Sequence, residues 1–216
     1  MGIGILIVTL LGLFLGFLVL QAVFAARHWQ RVIAEGDPDA LGEALDMAFE
    51  GWRGQRPPKG TPPSDWRALS TAALVGADRD RARVSLLADA DVQVVGSRRI
   101  EASSAQQVAR RVAVHMAERL FYEIPHVHFE RVQIDVLTDY RERGGEATTE
   151  PLLTTRITRQ QAIDADWDLG TSEELLAEWD TREALDGASI DLEAEAVIAI
   201  DEAMPAGAGT GDSEVA

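Results

Sequence analysis

The stretch SSAQQVARRVAVHMAERLFYEIPHVHFERVQIDVLTDY, residues 103–140, carries two hydrophobic periods in succession. Ala105, Val108, Ala109, Val112, Ala113, Met116, Ala117, Leu120, Phe121 and Ile124 recur at helical spacing and form one apolar stripe. Gln106, Arg110, Arg111, Glu118 and Arg119 face away from it. Ser103 or Ser104 can cap the start, and Pro125 stops the helix because the residue before a proline avoids the helical region. The period then drops to two. Val132, Ile134, Val136 and Thr138 alternate with Arg131, Gln133, Asp135 and Leu137, which reads as a half-buried strand with Leu137 as the exception. A long amphipathic helix followed by a strand predicts a helix lying across a sheet.

Further strands flank this unit. Gly144-Gly145 supplies a tight reversal, and residues 148 to 158 read as the returning strand, with Pro151 marking an edge or an entry point. Upstream, ARVSLLADADVQVV (82–95) reads as one strand or a short hairpin turning at Asp89-Ala90-Asp91. Downstream, two short helices are expected. Thr171 and Glu174 form a capping box ahead of Leu175, Leu176 and Trp179, with Trp167 and Trp179 as packing anchors. The expected fold class is α+β: an antiparallel sheet of three or four strands, packed by one long helix, over residues 66–182. Residues 183–216 decay into Ala, Gly, Asp and Glu and are expected to form an acidic, largely disordered tail.

Nearer the N-terminus, residues 54–65 contain four prolines, the composition of a semi-rigid spacer or, on a sharper reading, of a ligand for a proline-binding module. Before them, within residues 27–53, Leu41, Leu45, Ala48, Phe49 and Trp52 recur at helical spacing behind Asp37-Pro38-Asp39. The opposite side is acidic, through Asp39, Glu43, Asp46 and Glu50. Helices that lie on a bilayer favour a basic polar face, so this juxtamembrane helix is expected to pack against protein.

Residues 2–26, GIGILIVTLLGLFLGFLVLQAVFAA, contain no charged side chain. A membrane-spanning helix needs roughly 20 mostly apolar residues. No Lys or Arg precedes the run and it exceeds the apolar core of a signal peptide, although Val23-Phe24-Ala25 has the spacing of a cleavage site. An uncleaved anchor is therefore expected. Arg27 and Arg31 follow it with Trp29 between them. Positive flanks stay inside, which places the N-terminus outside and the domain in the cytoplasm. Gly12 and Gly16 form a small-xxx-small pair that suits helix association, in a homodimer or with another membrane helix.

The chain holds 36 acidic and 20 basic residues, a net charge of −16. Residues 164–216 account for 16 of the acids against Arg182 alone. The acidity is thus a C-terminal property, suited to a protein partner with a basic surface and adverse to nucleic acid. With no Cys there are no disulfides and no thiolate chemistry. One Lys against 19 Arg looks like the bias of a GC-rich bacterial genome more than a functional adaptation.

Catalytic and cofactor motifs are absent from the sequence. His126 and His128 would share one side of a strand and His115 precedes them on the helix, but no HExxH or similar spacing accompanies these candidate metal ligands. Asp135, Asp139, Glu142 and Glu146 cluster around the reversal, as charged residues on an exposed strand face also do. The expected function is a single-pass membrane-anchored scaffold, adaptor or small complex subunit with no cofactor. The alternative is a membrane-tethered enzyme with an active site around His126, His128 and Asp135.

Overall fold

The computed structural model describes residues 37–95, 98–141, 147–184 and 189–200. The expected span at 2–26, Gly12, Gly16, Arg27, Trp29 and Arg31 all lie outside the described residues, as do Glu142, Gly144, Gly145 and Glu146. No helix among the described residues is long and apolar enough to cross a membrane.

Two helices open the domain, α1 (Pro38–Gly54) and α2 (Pro63–Ser70). They are followed by strands β1 (Ala73–Ala77), β2 (Arg81–Leu87), β3 (Asp91–Val95) and β4 (Arg98–Ser103). Helix α3 (Ala105–Tyr122) leads into β5 (Arg131–Arg141) and β6 (Ala147–Thr158). Two short helices, α4 (Arg159–Asp164) and α5 (Ser172–Glu178), precede β7 (Asp180–Glu183). The main sheet has five strands in the order β1-β2-β5-β6-β7, and β3 and β4 form a separate two-stranded ribbon.

The α+β class stands, with two corrections to the expected sheet. It is mixed, because β2 pairs with β5 in parallel while the other neighbours are antiparallel. A parallel pair needs a long crossover, and the 18 residues of α3, spanning about 27 Å, return the chain to the same end of the sheet. The sheet also has more strands than expected. Edge strands β1 (ALVGA) and β7 (DTRE) are too short for their alternation to stand out. The 82–95 stretch is split between the main sheet and the ribbon.

Helix α3 starts as its sequence dictates. Ser104 accepts the Gln107 N–H, and the Gln107 side chain accepts the Ser104 N–H, a complete capping box. Its stripe packs on β5 and β6, on the face whose rungs are Ala82–Val132–Ile157, Val84–Ile134–Thr155 and Leu86–Val136–Leu153, apolar except at Thr155. All nine residues are essentially buried. Burying such an aliphatic side chain contributes roughly 1.5–3 kcal/mol, so these rungs are a main source of the domain's stability.

The N-terminal helix belongs to the same core. Leu41, Leu45, Phe49 and Trp52 of α1 are buried in one cluster with the sheet residues. Asp37 caps the helix by accepting the Ala40 N–H at 3.0 Å, and Arg53 ties its end to the Ala72 carbonyl. Packed structure therefore begins well before Trp66. The prolines flanking the 55–62 connection act partly as helix starters, with Pro63 at the first position of α2. Arg119 of α3 joins these helices, its guanidinium 5.4 Å from the Trp52 ring and 5.5 Å from the Trp66 ring. Burial pulls its pKa below the ordinary arginine value, against the opposing charges of Glu123 and Glu118. Arg111 also reaches α2, holding the buried Asp65 through two bonds of 2.6 and 2.7 Å.

Pro151 stands at a bulge, where the β5–β6 register slips and it opposes Leu137. The pairing with β7 covers only Leu153 to Arg156, so the missing N–H of Pro151 breaks no ladder on that side. Trp167 and Trp179 pack together at 5.8 Å, and Tyr122 meets Trp167 edge-on at 5.9 Å.

Ile134→Ala, at a fully buried position in the middle rung, is expected to lower unfolding free energy by about 2–5 kcal/mol. Urea denaturation followed by tryptophan fluorescence measures this. A loss below 1 kcal/mol would mean that α3 does not pack on β5 as described.

Candidate functional site: a basic sheet face covered by an acidic segment

The strand β5 was expected to be half-buried, with Gln133 and Asp135 facing solvent. Both are in fact buried, at 1% and 2% exposure. Their face of the sheet carries the rungs Arg83–Gln133–Arg156–Asp180 and Ser85–Asp135–Thr154–Arg182. What covers it is the stretch Ser189–Ile200, which composition reads as disordered tail. Residues 201–216 of that tail lie outside the described residues.

Asp135 is the centre of the face. Its Oδ2 accepts from Arg83 Nε at 2.7 Å. Its Oδ1 accepts from Thr154 Oγ1 at 2.6 Å and from Gln133 Nε2 at 2.9 Å. Arg83, 1% exposed, has its other nitrogens turned to the covering segment. Nη1 donates to the Ile198 carbonyl at 3.0 Å and pairs with Glu193 at 2.6 Å, and Nη2 donates to the Leu192 carbonyl at 3.1 Å. Burial opposes the Arg83 charge, but the hydrogen bonds and charges of Asp135 and Glu193 outweigh it and hold the pKa above the ordinary arginine value. A buried arginine with an acceptor at each of its three nitrogens is the condition under which an internal ion pair is tolerated.

The rest of the face repeats this pattern. Arg81 donates to the Val197 carbonyl at 2.7 Å. Gln133 donates to the Leu192 carbonyl at 3.3 Å and accepts the Val197 N–H at 2.8 Å. Arg156 donates to the carbonyls of Ala194 at 3.3 Å and Glu195 at 2.6 Å. Arg156 also pairs with Asp180 at 3.0 Å and Glu195 at 3.2 Å, and Arg182 pairs with Glu195 at 2.6 Å. The segment is shaped locally by Asp191, which accepts the N–H groups of Glu193 and Ala194, and by Glu195 in the left-handed region at φ 60°. A cavity of about 470 Å³ opens beside it, lined by Arg81, Arg131, Arg156, Asp180, Glu195 and Val197 among others.

The residues of the enzymatic alternative are not assembled here. His126 and His128 are exposed on the loop before β5, lining a depression of about 210 Å³ with Arg79, Asp80 and Glu130. Asp135 lies four residues into that strand, about 13 Å beyond Arg131, with both oxygens engaged. His115 is exposed on α3, 3.9 Å from Glu118. Among the described residues no three His, Asp or Glu side chains are grouped to hold a metal ion. Asp139 is exposed and accepts from Thr149 at 3.1 Å.

Sequence reading missed Arg81, Arg83 and Arg156 altogether. The available signal was alternation: Arg81 and Arg83 share one side of β2, and Gln133 and Asp135 one side of β5. Joining them requires knowing that these strands are neighbours. No protein-family model matches the chain, and comparison with curated proteins and with solved structures finds no similar one.

Removing one partner of the buried pair should cost more than removing both. Asp135→Ala leaves the Arg83 charge without its sheet partner and is expected to cost about 3 kcal/mol, whereas Arg83→Met combined with Asp135→Leu costs less than that single change. Urea titrations of the three proteins make the comparison. A double variant at least as unstable as Asp135→Ala contradicts it.

Proposed function

We propose that this protein is a single-pass membrane protein presenting an interaction domain to the cytoplasm, as an adaptor or a small subunit of a membrane complex. The observation that carries the proposal is the uncharged run at residues 2–26, followed closely by a domain whose first helix starts at Pro38. The connection from Ala26 to Asp37 can extend to at most roughly 40 Å, so the domain works within a protein diameter of the bilayer. Arg27 and Arg31 favour the cytoplasmic side for the domain, and Trp29 fits an interfacial position. Gly12 and Gly16 offer a smooth helix face for a second copy or for another spanning helix.

The interaction role draws support from the covered sheet face. It binds an acidic segment in irregular conformation through arginine and glutamine side chains. The same side chains suit an acidic segment of another protein, and this is the support they lend to an interaction role.

Fractionation of cells tests the anchor. The full chain is expected in the membrane pellet, resistant to alkaline carbonate and released by detergent. Recovery in the carbonate supernatant, or of a product lacking residues 1–25, overturns the proposal. Because the chain has no Cys, Thr210→Cys creates a unique label site. An impermeant maleimide should label it only after the cells are opened.

A further inference from the structure

The covering segment is held in an unusual way for an integral part of a fold. Ser189–Ile200 contains no helix or strand, and Ile198 is its one fully buried residue. The sheet holds it through the carbonyls of Leu192, Ala194, Glu195, Val197 and Ile198, and through two carboxylates. Carbonyls carry no side-chain identity. The face therefore reads a kinked backbone, the charges of Glu193 and Glu195, and one aliphatic plug.

The fit is also incomplete. Arg156 has a side chain only 10% exposed, yet its Nη2 has no hydrogen-bond partner. A buried guanidinium nitrogen left unpaired is costly, and an extra acceptor at that position would recover the loss. Arg156 also lines the cavity of about 470 Å³ beside the segment. Three of the ion pairs that hold the segment involve Glu193 or Glu195 side chains that are 43% and 70% exposed. Their carboxylate ends are open to salt, and the Arg182–Glu195 pair, exposed on both sides, adds little stability.

We propose that this sheet face is a binding surface for acidic peptide segments, that Ser189–Ile200 occupies it in cis, and that an acidic segment of a partner protein exchanges with it. The partner segment carries two carboxylates two residues apart and an aliphatic residue three positions after the second, as Glu193, Glu195 and Ile198 do. A partner segment that packs differently from the resident one and brings an acceptor to Arg156 Nη2 gains over it. Tethering gives the resident segment a high effective concentration, so exchange needs a partner that is better matched or locally concentrated. This rests on the adaptor reading for its biological setting but not on the membrane anchor. Failure of fractionation leaves the peptide test intact, and the reverse also holds.

The test uses the full chain in detergent micelles and a fluorescent synthetic peptide SIDLEAEAVIAI, residues 189–200. The release variant combines Glu193→Gln, Glu195→Gln and Ile198→Ser. Anisotropy titration is expected to show the release variant binding the peptide at least tenfold tighter than the parent. The gain should vanish when Arg156→Gln and Arg182→Gln are added, and should shrink between 50 and 500 mM salt. Hydrogen exchange is expected to show residues 189–200 of the parent opening much faster than β5, with β5 still protected in the release variant. No peptide binding by the release variant overturns the proposal. So does loss of protection in β5, or a parent segment as slow to exchange as β5, because either result makes the segment an integral layer of the fold.

Discussion

The pairing of Arg83 with Asp135 inside the sheet is the interaction on which the second face of this domain depends. Two charges buried at the same depth are tolerated only when their remaining hydrogen-bonding groups are satisfied. Asp135 finds Thr154 and Gln133 on its own side. Arg83 cannot find enough partners within the sheet, and the covering segment supplies three of them. The need to satisfy one guanidinium thus explains why an acidic stretch without helix or strand settles on this face.

The two faces of β5 are covered by different physics. Toward α3, the rungs around Ile134 are largely apolar, and their burial supplies stability through close packing and not through individual directed bonds. Toward the segment, the contacts are hydrogen bonds and ion pairs with defined geometry. They contribute less net stability but specify where the segment lies. One strand therefore joins a stable core to a surface whose cover is held mainly by polar contacts.

A second buried arginine organises the other end of the molecule. Arg119 lies against Trp52 of α1 and Trp66 of α2, so its charge is met by two ring faces and by Glu123 at 3.8 Å. This contact, with the Arg111–Asp65 pair, makes the helices on either side of the proline-rich connection one unit with α3.

The sequence by itself determined the elements whose signal is local. The α3 stripe, its Ser104 cap, the strand β5, the Thr171 capping box and the return through β6 are all set by neighbouring residues, and all appear in the structure, although β5 is buried on both faces. The apolar face of α1 was legible for the same reason. Tertiary structure decided what depends on which strands meet. Parallel pairing of β2 with β5 brings Arg83 to Asp135 across 52 positions, and no local period marks that encounter. The fate of Ser189–Ile200 was decided there too. Its composition specifies no core, and only an assembled row of arginines gives its carbonyls and carboxylates a place to bind.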